Sequence, residues 1–160
     1  MKKFFGLFLV TTALLWSAQP FKEHRYIYSI DKHLELSGSI AFEPKRMEIR
    51  YSEPQIRRIV YDGESMDTYA HDILTQHIDL SAQPMMQLYM RFIFLLYQGD
   101  FKALEENFNI IYEERIVRLT PIPPADKVIT SVEVTRQNET IRKIITRMGN
   151  GDEITLDMAP

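Results

Sequence analysis

The chain of 160 residues contains no cysteine, six glycines and a single tryptophan. Without cysteine it has no disulfide, no thiolate nucleophile and no thiolate ligand for a metal, so the hydrophobic core alone must stabilise the fold. The six glycines form no phosphate-binding loop, and the serines occur in no nucleophile-elbow motif. The commonest sequence signatures of enzymes are therefore missing.

A strong excess of charge of one sign is missing too. The formal net charge is -3, with 26% charged and 45% hydrophobic residues, which is typical of a globular domain and indicates no nucleic-acid partner. The four histidines show no metal-binding spacing; His71 with Asp72 and His77 with Asp79 are the alternatives, and surface histidines are the simpler interpretation. We therefore predict that the protein is not an enzyme and has no catalytic residue, no metal and no cofactor.

Long hydrophobic runs are scarce, and the one at the N-terminus is free of charge from Phe4 to Trp16. Two lysines precede it and small residues follow, an arrangement typical of a secretory signal peptide. The run is shorter than the roughly 20 residues that a transmembrane helix needs. We predict a signal peptide over residues 1–18 and a single domain over residues 19–160, located in the periplasm.

Two alternatives remain for this N-terminal segment, namely cleavage after Ala13 and an uncleaved membrane anchor. A bacterial lipoprotein needs a cysteine at the end of its signal peptide, and this chain has none. We therefore expect a protein that is soluble once the signal peptide has been removed.

Short stretches of alternating apolar and polar residues dominate the rest of the chain. Met47, Ile49 and Tyr51 alternate with charged residues, which is the period of two of a half-buried strand. Asp62-Gly63 favours a tight hairpin turn. The pattern predicts roughly ten antiparallel strands, at residues 24–30, 34–42, 47–51, 56–61, 65–69, 74–80, 108–112, 116–120, 128–135, 141–148 and 154–158.

A different pattern interrupts the strands between Pro84 and Tyr97, where the only polar side chains are Gln87 and Arg91. These two residues lie on one line of a helix, so the helix is apolar on nearly all sides and should be covered on most of them. Ser81 can cap its start and Gly99 its end, and a short second helix should follow at residues 101–107. The predicted fold is mainly β with a helical insertion, in which an unclosed antiparallel barrel or strongly curved sheet carries an α-helical lid over a hydrophobic cavity.

Methionine and aromatic residues are concentrated on the predicted helix and on the strands before it. Methionine is flexible and polarisable, which suits a surface that accepts apolar ligands of variable shape. A curved sheet that faces an apolar helix can enclose such a ligand, whereas the alternative is that these side chains simply fill a core.

Short motifs along the chain occur in an ordered series. They are Phe21–Arg25, Ser37–Pro44, Met47–Pro54, Ile59–Gly63, Gln98–Phe101 with Leu104 and Phe108, Arg118–Pro121 and Gly151–Met158. In this order the series resembles the LolA-type outer-membrane lipoprotein carriers, and more closely a LolA-related branch. The resemblance covers nearly the whole predicted mature chain.

The resemblance implies an unclosed β-barrel whose helical lid covers a cavity for acyl chains. It also implies acylated cargo, either a lipoprotein or a lipid, an inner-membrane donor transporter and an outer-membrane acceptor. We expect the carrier to be a monomer. In the lipoprotein carriers an arginine that precedes the proline of the second motif holds the lid closed. Glu43 stands at that position here, and Arg46 is the candidate substitute.

We therefore predict a soluble periplasmic carrier that shuttles acyl chains between the inner and outer membranes. The alternatives are a periplasmic adaptor that binds a protein segment on its concave face and, less favoured, an enzyme that acts on a lipid-like substrate. The predicted cavity lining from the sheet is Phe42, Met47, Ile49, Tyr51, Met66 and Tyr69. The predicted lining from the helix is Met86, Tyr89, Phe92, Ile93 and Leu96.

Overall fold

The computed structural model describes residues 18–159. Eleven strands and two helices follow one another in chain order. Their bounds are β1 Gln19–Ile27, β2 Lys32–Glu43, β3 Arg46–Glu53, β4 Arg57–Tyr61, β5 Ser65–Ala70, β6 Ile73–Asp79, α1 Pro84–Gln98, α2 Phe101–Leu104, β7 Phe108–Tyr112, β8 Ile116–Pro121, β9 Ile129–Gln137, β10 Thr140–Met148 and β11 Glu153–Met158. The signal peptide predicted for residues 1–18 lies almost wholly outside the described residues.

The strands form one antiparallel sheet in the order β6-β5-β4-β3-β2-β1-β11-β10-β9-β8-β7. Strands that are neighbours in the chain pair with each other, except for β6 and β7, which the helices separate. In the middle of the sheet, β1 pairs with β11. β6 and β7 are its two edges, so the sheet is not closed. This confirms the predicted fold class, a mainly β structure with a helical insertion and an unclosed sheet.

Local sequence explains the hairpins. In the turn between β4 and β5, the Asp62 carboxylate accepts hydrogen bonds from the backbone N–H groups of Glu64 and Ser65, at 2.9 and 2.7 Å. Gly63 has a φ of 95°, which glycine adopts without a steric penalty. In β3 the side chains of Met47, Ile49 and Tyr51 are buried, as the period of two predicts.

The helices differ from the prediction at their ends. Gly99, in the left-handed conformation, ends α1 as predicted, but the N-cap of α1 is Gln83, without a side-chain cap. Ser81 instead lies in a short 3-10 turn, where its backbone N–H and its hydroxyl both donate to the Asp79 carboxylate. Asp100 caps α2, which ends at Leu104, three residues before the predicted end. None of the helices within residues 18–159 has both the length and the apolar character that crossing a membrane requires.

The sheet curls around α1. The Phe94 ring lies 6.2 Å from Phe42 on β2 and 5.6 Å from Tyr61 on β4, while the Phe92 ring stacks 5.1 Å from Phe108 on β7. β4 and β7 are eight positions apart in the sheet, about 38 Å if the sheet were flat at ~4.8 Å per strand. Two side chains of one helix reach both strands only because the sheet is strongly curved.

Gly38 allows β2 and β3 to approach closely within this curve. A Cβ atom at this position would lie 2.2 Å from the backbone oxygen of Arg50 and 3.0 Å from the Phe21 ring. The Phe21 ring therefore covers the glycine and meets the Tyr51 ring edge-on at 5.7 Å. The hydrophobic core lies on the same side of the sheet, between the curved strands and α1.

Candidate functional site

The concave face of the sheet, defined here as the face that packs against α1, is the candidate site. Ten of the eleven residues predicted to line a cavity lie in this core region. Ile49, Met47, Tyr51, Phe92, Ile93 and Leu96 are buried, and Phe42, Met66, Met86 and Tyr89 are half-buried against the core. The structure thus brings the two predicted sets of side chains, from the sheet and from the helix, together.

Tyr69 is the exception and requires a correction. It pairs with Arg58 across β4 and β5, and the Arg58 guanidinium lies 4.0 Å from the centre of its ring. Arg58 and its neighbours Arg50 and Glu48 point away from α1, to the convex face of the sheet. Met66 and Tyr69 are an odd number of residues apart, so a regular strand places them on opposite faces.

Arg46, the predicted latch for the lid, also lies on the convex face and not against the helix. Its guanidinium pairs with Glu43 at 3.3 Å and with Glu48 at 3.2 Å. In a strand, residues alternate between faces, so Arg46 must point away from the buried Met47 beside it. The structure therefore does not place Arg46 where it could hold α1.

Helix α1 fills the space in front of the concave face. Its buried side chains, Met90, Phe92, Ile93 and Leu96, belong to the same continuous core as the strands. A side-chain ion pair of the helix lies at the surface, where Arg91 Nη1 donates to Glu106 Oε2 at 2.9 Å. An exposed pair of this kind contributes at most about 1 kcal/mol. Apolar contacts therefore hold the helix in place.

A polar network interrupts the apolar concave face. Glu23 on β1 is only 4% exposed. It lies between Phe21 and Arg25 on the concave face of β1, which is a central strand of the sheet. Arg25 Nε donates to one carboxylate oxygen of Glu23. The Tyr51 hydroxyl donates to the other oxygen at 3.1 Å and accepts from Arg25 Nη2 at 3.1 Å.

A second arginine joins this network from β4. The Arg57 guanidinium lies 4.8 Å from the centre of the Tyr51 ring, which is a cation–π distance. Arg25 lies two residues before the end of β1, at the end of the sheet where β1 passes into β2. Arg57 is level with Phe21 in the strand pairing, four residues from Arg25 along β1, and joins the network through the Tyr51 ring.

Sequence reasoning missed the network because it began the first strand at His24, whereas β1 begins at Gln19. The alternation Phe21, Glu23, Arg25 puts two charged residues on a buried face, which hides the usual pattern of a strand. The usable signal is the spacing itself, since an acid and a base two residues apart on one strand share a face.

Burial and the nearby Glu23 carboxylate raise the pKa of Tyr51 to about 12, against the opposing effect of Arg25. Burial also raises the pKa of Tyr97 on α1 well above its ordinary value, and the charges of this network act on that hydroxyl as well. Helix and network therefore lie close enough to influence each other.

Alkaline unfolding should report the network. A tyrosine whose pKa is raised by folding contributes stability that is complete below pH 10 and lost as the pH rises to about 12. For Tyr51 the loss is about 2–3 kcal/mol. Urea unfolding at pH 9 and pH 12 should therefore show a smaller loss of unfolding free energy in Tyr51→Phe than in the parent protein.

The control for this measurement is Tyr28→Phe, because Tyr28 is 63% exposed and lies outside the network. It should lose as much unfolding free energy between the two pH values as the parent. Equal losses in the parent and in Tyr51→Phe would mean that the Tyr51 hydroxyl is not desolvated in the folded protein.

Similarity to known proteins is found among solved structures. No family model and no curated protein matches the sequence. Among solved structures, the crystal structure of a LolA superfamily protein from Nitrosomonas europaea is similar, with a TM-score of 0.43 and 11% sequence identity. The match covers 91% of this chain and 86% of that one.

Proposed function

We propose that the protein is a periplasmic carrier that binds acyl chains of a lipid or lipoprotein on its concave face. The observation that carries the proposal is the arrangement of α1, an apolar helix that fills the open side of an unclosed sheet. Its side chains offer the strands the same kind of surface that acyl chains would offer. The ordered motifs that resemble LolA-type carriers support the same function.

Exchange of one apolar surface for another makes binding reversible. Burial of a methylene contributes about 0.8 kcal/mol, so a few carbons of an acyl chain can replace the contacts that Phe92 and Leu96 make with the strands. The displaced helix can then cover the bound chain with its other apolar side chains. The methionines of α1, Met85, Met86 and Met90, are flexible enough to repack around chains of different length.

The proposed cycle involves no covalent chemistry. An inner-membrane donor would load the acylated cargo, and an outer-membrane acceptor would receive it. We propose that the carrier works as a monomer and is soluble after removal of its signal peptide.

Native mass spectrometry of the protein purified from a periplasmic extract tests this function, followed by organic extraction of bound molecules. We expect a co-purifying phospholipid, fatty acid or lipoprotein, and uptake of a fluorescent fatty acid by the ligand-free protein. A ligand-free mass together with no uptake would contradict the carrier.

The second candidate is a periplasmic adaptor that binds a protein segment. The filled concave face favours it, because an adaptor needs no internal space for a lipid. The same mass spectrum distinguishes the two, since an adaptor would carry a peptide or protein and no acyl chain.

A further inference from the structure

We infer that Arg25 and Arg57, which both contact Tyr51 on the concave face, bind the anionic head group of the acyl ligand, a carboxylate or a phosphate. The inference rests on the proposed carrier function and adds the chemical class of its ligand. The acyl chain itself would take the place of α1 side chains, and its charged end would lie beyond them.

The position of Arg25 is the first argument. In the ladder it lies between Leu34 on β2 and Ile154 on β11. An arginine between two aliphatic neighbours on a concave face marks the point where an amphiphile would change from apolar to charged.

The balance of charge is the second argument. The convex arginines share carboxylates, and Glu48 alone lies within 4 Å of Arg46, Arg50 and Arg58. On the concave side two guanidinium groups meet Tyr51, while Glu23 pairs with Arg25 alone. Among residues 18–159 Arg57 forms no ion pair. The network therefore has one positive charge in excess, which an anionic ligand would neutralise.

Exposure gives the third argument. The Arg25 side chain is 34% exposed, whereas the Glu23 side chain is 3% exposed. Glu23 thus lies on the protein side of this pair, and part of the Arg25 side chain remains accessible to a ligand. Arginine donates in a planar fork that matches both carboxylate and phosphate oxygens.

Stability alone does not account for the network. A buried ion pair loses its hydration, and replacing it with apolar residues often leaves stability unchanged or increases it. The concave face could be closed by leucines, as it is elsewhere at Leu156 and Leu119. A charged pair in this position is therefore better explained by ligand binding.

Titration calorimetry with laurate, dodecyl phosphate and dodecanol tests the inference, with the full domain and each probe below its micelle concentration. The parent should bind at least one of the two anions about ten-fold more tightly than dodecanol. Arg25→Gln should lower the affinity for that anion at least ten-fold and leave dodecanol binding unchanged. Arg50→Gln, on the convex face, should behave as the parent.

Arg57→Gln is the second variant, because Arg25→Gln leaves Glu23 buried without its cation and could unfold. It should weaken binding of the anion selectively in the same way. The inference is overturned if the parent binds the anions and dodecanol with equal affinity. It is also overturned if the two variants weaken the binding of the anions and of dodecanol equally. Neither outcome contradicts the carrier function. Absence of binding by all three probes overturns both.

Inorganic phosphate separates a lipid head group from a free anion. It should bind far more weakly than dodecyl phosphate, because the acyl chain supplies most of the binding free energy. Equal affinity for the two would show a site for free anions and overturn the assignment to an amphiphile.

Discussion

Cross-linking α1 to the sheet should reduce acyl binding at least ten-fold. In the structure the helix occupies the face on which the ligand is proposed to lie, so a ligand can enter only when the helix moves. If this movement is required, preventing it removes binding without changing any side chain of the concave face.

Arg91 and Glu106 provide the attachment points, because both are exposed and their side chains meet at 2.9 Å. Residue 106 lies beside Asn107, whose backbone oxygen accepts from Ile122 N–H at 2.9 Å. A tether at Glu106 therefore connects α1 to a segment that is fixed to the sheet. The chain has no cysteine, so Arg91→Cys with Glu106→Cys creates a unique pair.

A short bismaleimide with a reducible bond would join the two cysteines, and uptake of a fluorescent fatty acid would be measured before and after reduction. We expect binding to be lost on cross-linking and restored on reduction. The control pair is Arg147→Cys with Glu153→Cys, which lies on neighbouring strands β10 and β11 at 3.0 Å. Cross-linking there should leave uptake unchanged. Full uptake by the tethered α1 variant would show that the helix does not act as a lid.

Local rules were sufficient to predict most of the architecture. The alternation around Met47 and Ile49, the turn at Asp62-Gly63 and the apolar stretch from Pro84 each depend on neighbours in sequence. Their physical causes, the period of a strand, the φ of glycine and the burial of an apolar helix, act within a few residues. The structure agrees with each of them.

The site depends on contacts that no local rule contains. Glu23 and Tyr51 are 28 residues apart and meet because β2 lies between their strands with Gly38 in register with both Phe21 and Tyr51. The prediction that Tyr69 lines the concave face is wrong because the alternation of β5, and not the aromatic character of the residue, determines its face. The packing of α1 against the concave face also depends on the folded sheet. Neither the strand pattern nor the helix pattern in the sequence determines the distance between the helix and the sheet.

Glu23→Gln should weaken the fold and at the same time strengthen the binding of an anionic ligand. The amide cannot neutralise Arg25, which should cost about 2 kcal/mol, less than the ~3–5 kcal/mol of a fully buried pair because Arg25 is partly exposed. The substitution also leaves the Arg25 guanidinium without the Glu23 carboxylate as a partner. Laurate should therefore bind about ten-fold more tightly than it does to the parent.

Urea unfolding with and without laurate measures both effects in one experiment. At a laurate concentration 100 times its dissociation constant, the ligand adds about 2.7 kcal/mol to the unfolding free energy. At one laurate concentration that saturates both proteins, ten-fold tighter binding adds about 1.4 kcal/mol more to the variant than to the parent. The variant should therefore recover in laurate most of the roughly 2 kcal/mol by which it is less stable than the parent without ligand. Weaker laurate binding by Glu23→Gln would mean that Glu23 helps to hold the ligand and does not compete with it.

The triple variant Glu23→Leu, Arg25→Leu and Tyr51→Phe separates the two roles of the network. Removal of both charges together with the Tyr51 hydroxyl that they bond leaves no unpaired buried group in the network, so the variant should be as stable as the parent or more stable. It should still bind dodecanol through the apolar face, but its preference for laurate over dodecanol should fall at least ten-fold, to what Arg57 alone supports. A loss of stability of several kcal/mol would instead assign the network to the fold. An undiminished preference for laurate would place the head group elsewhere on the concave face.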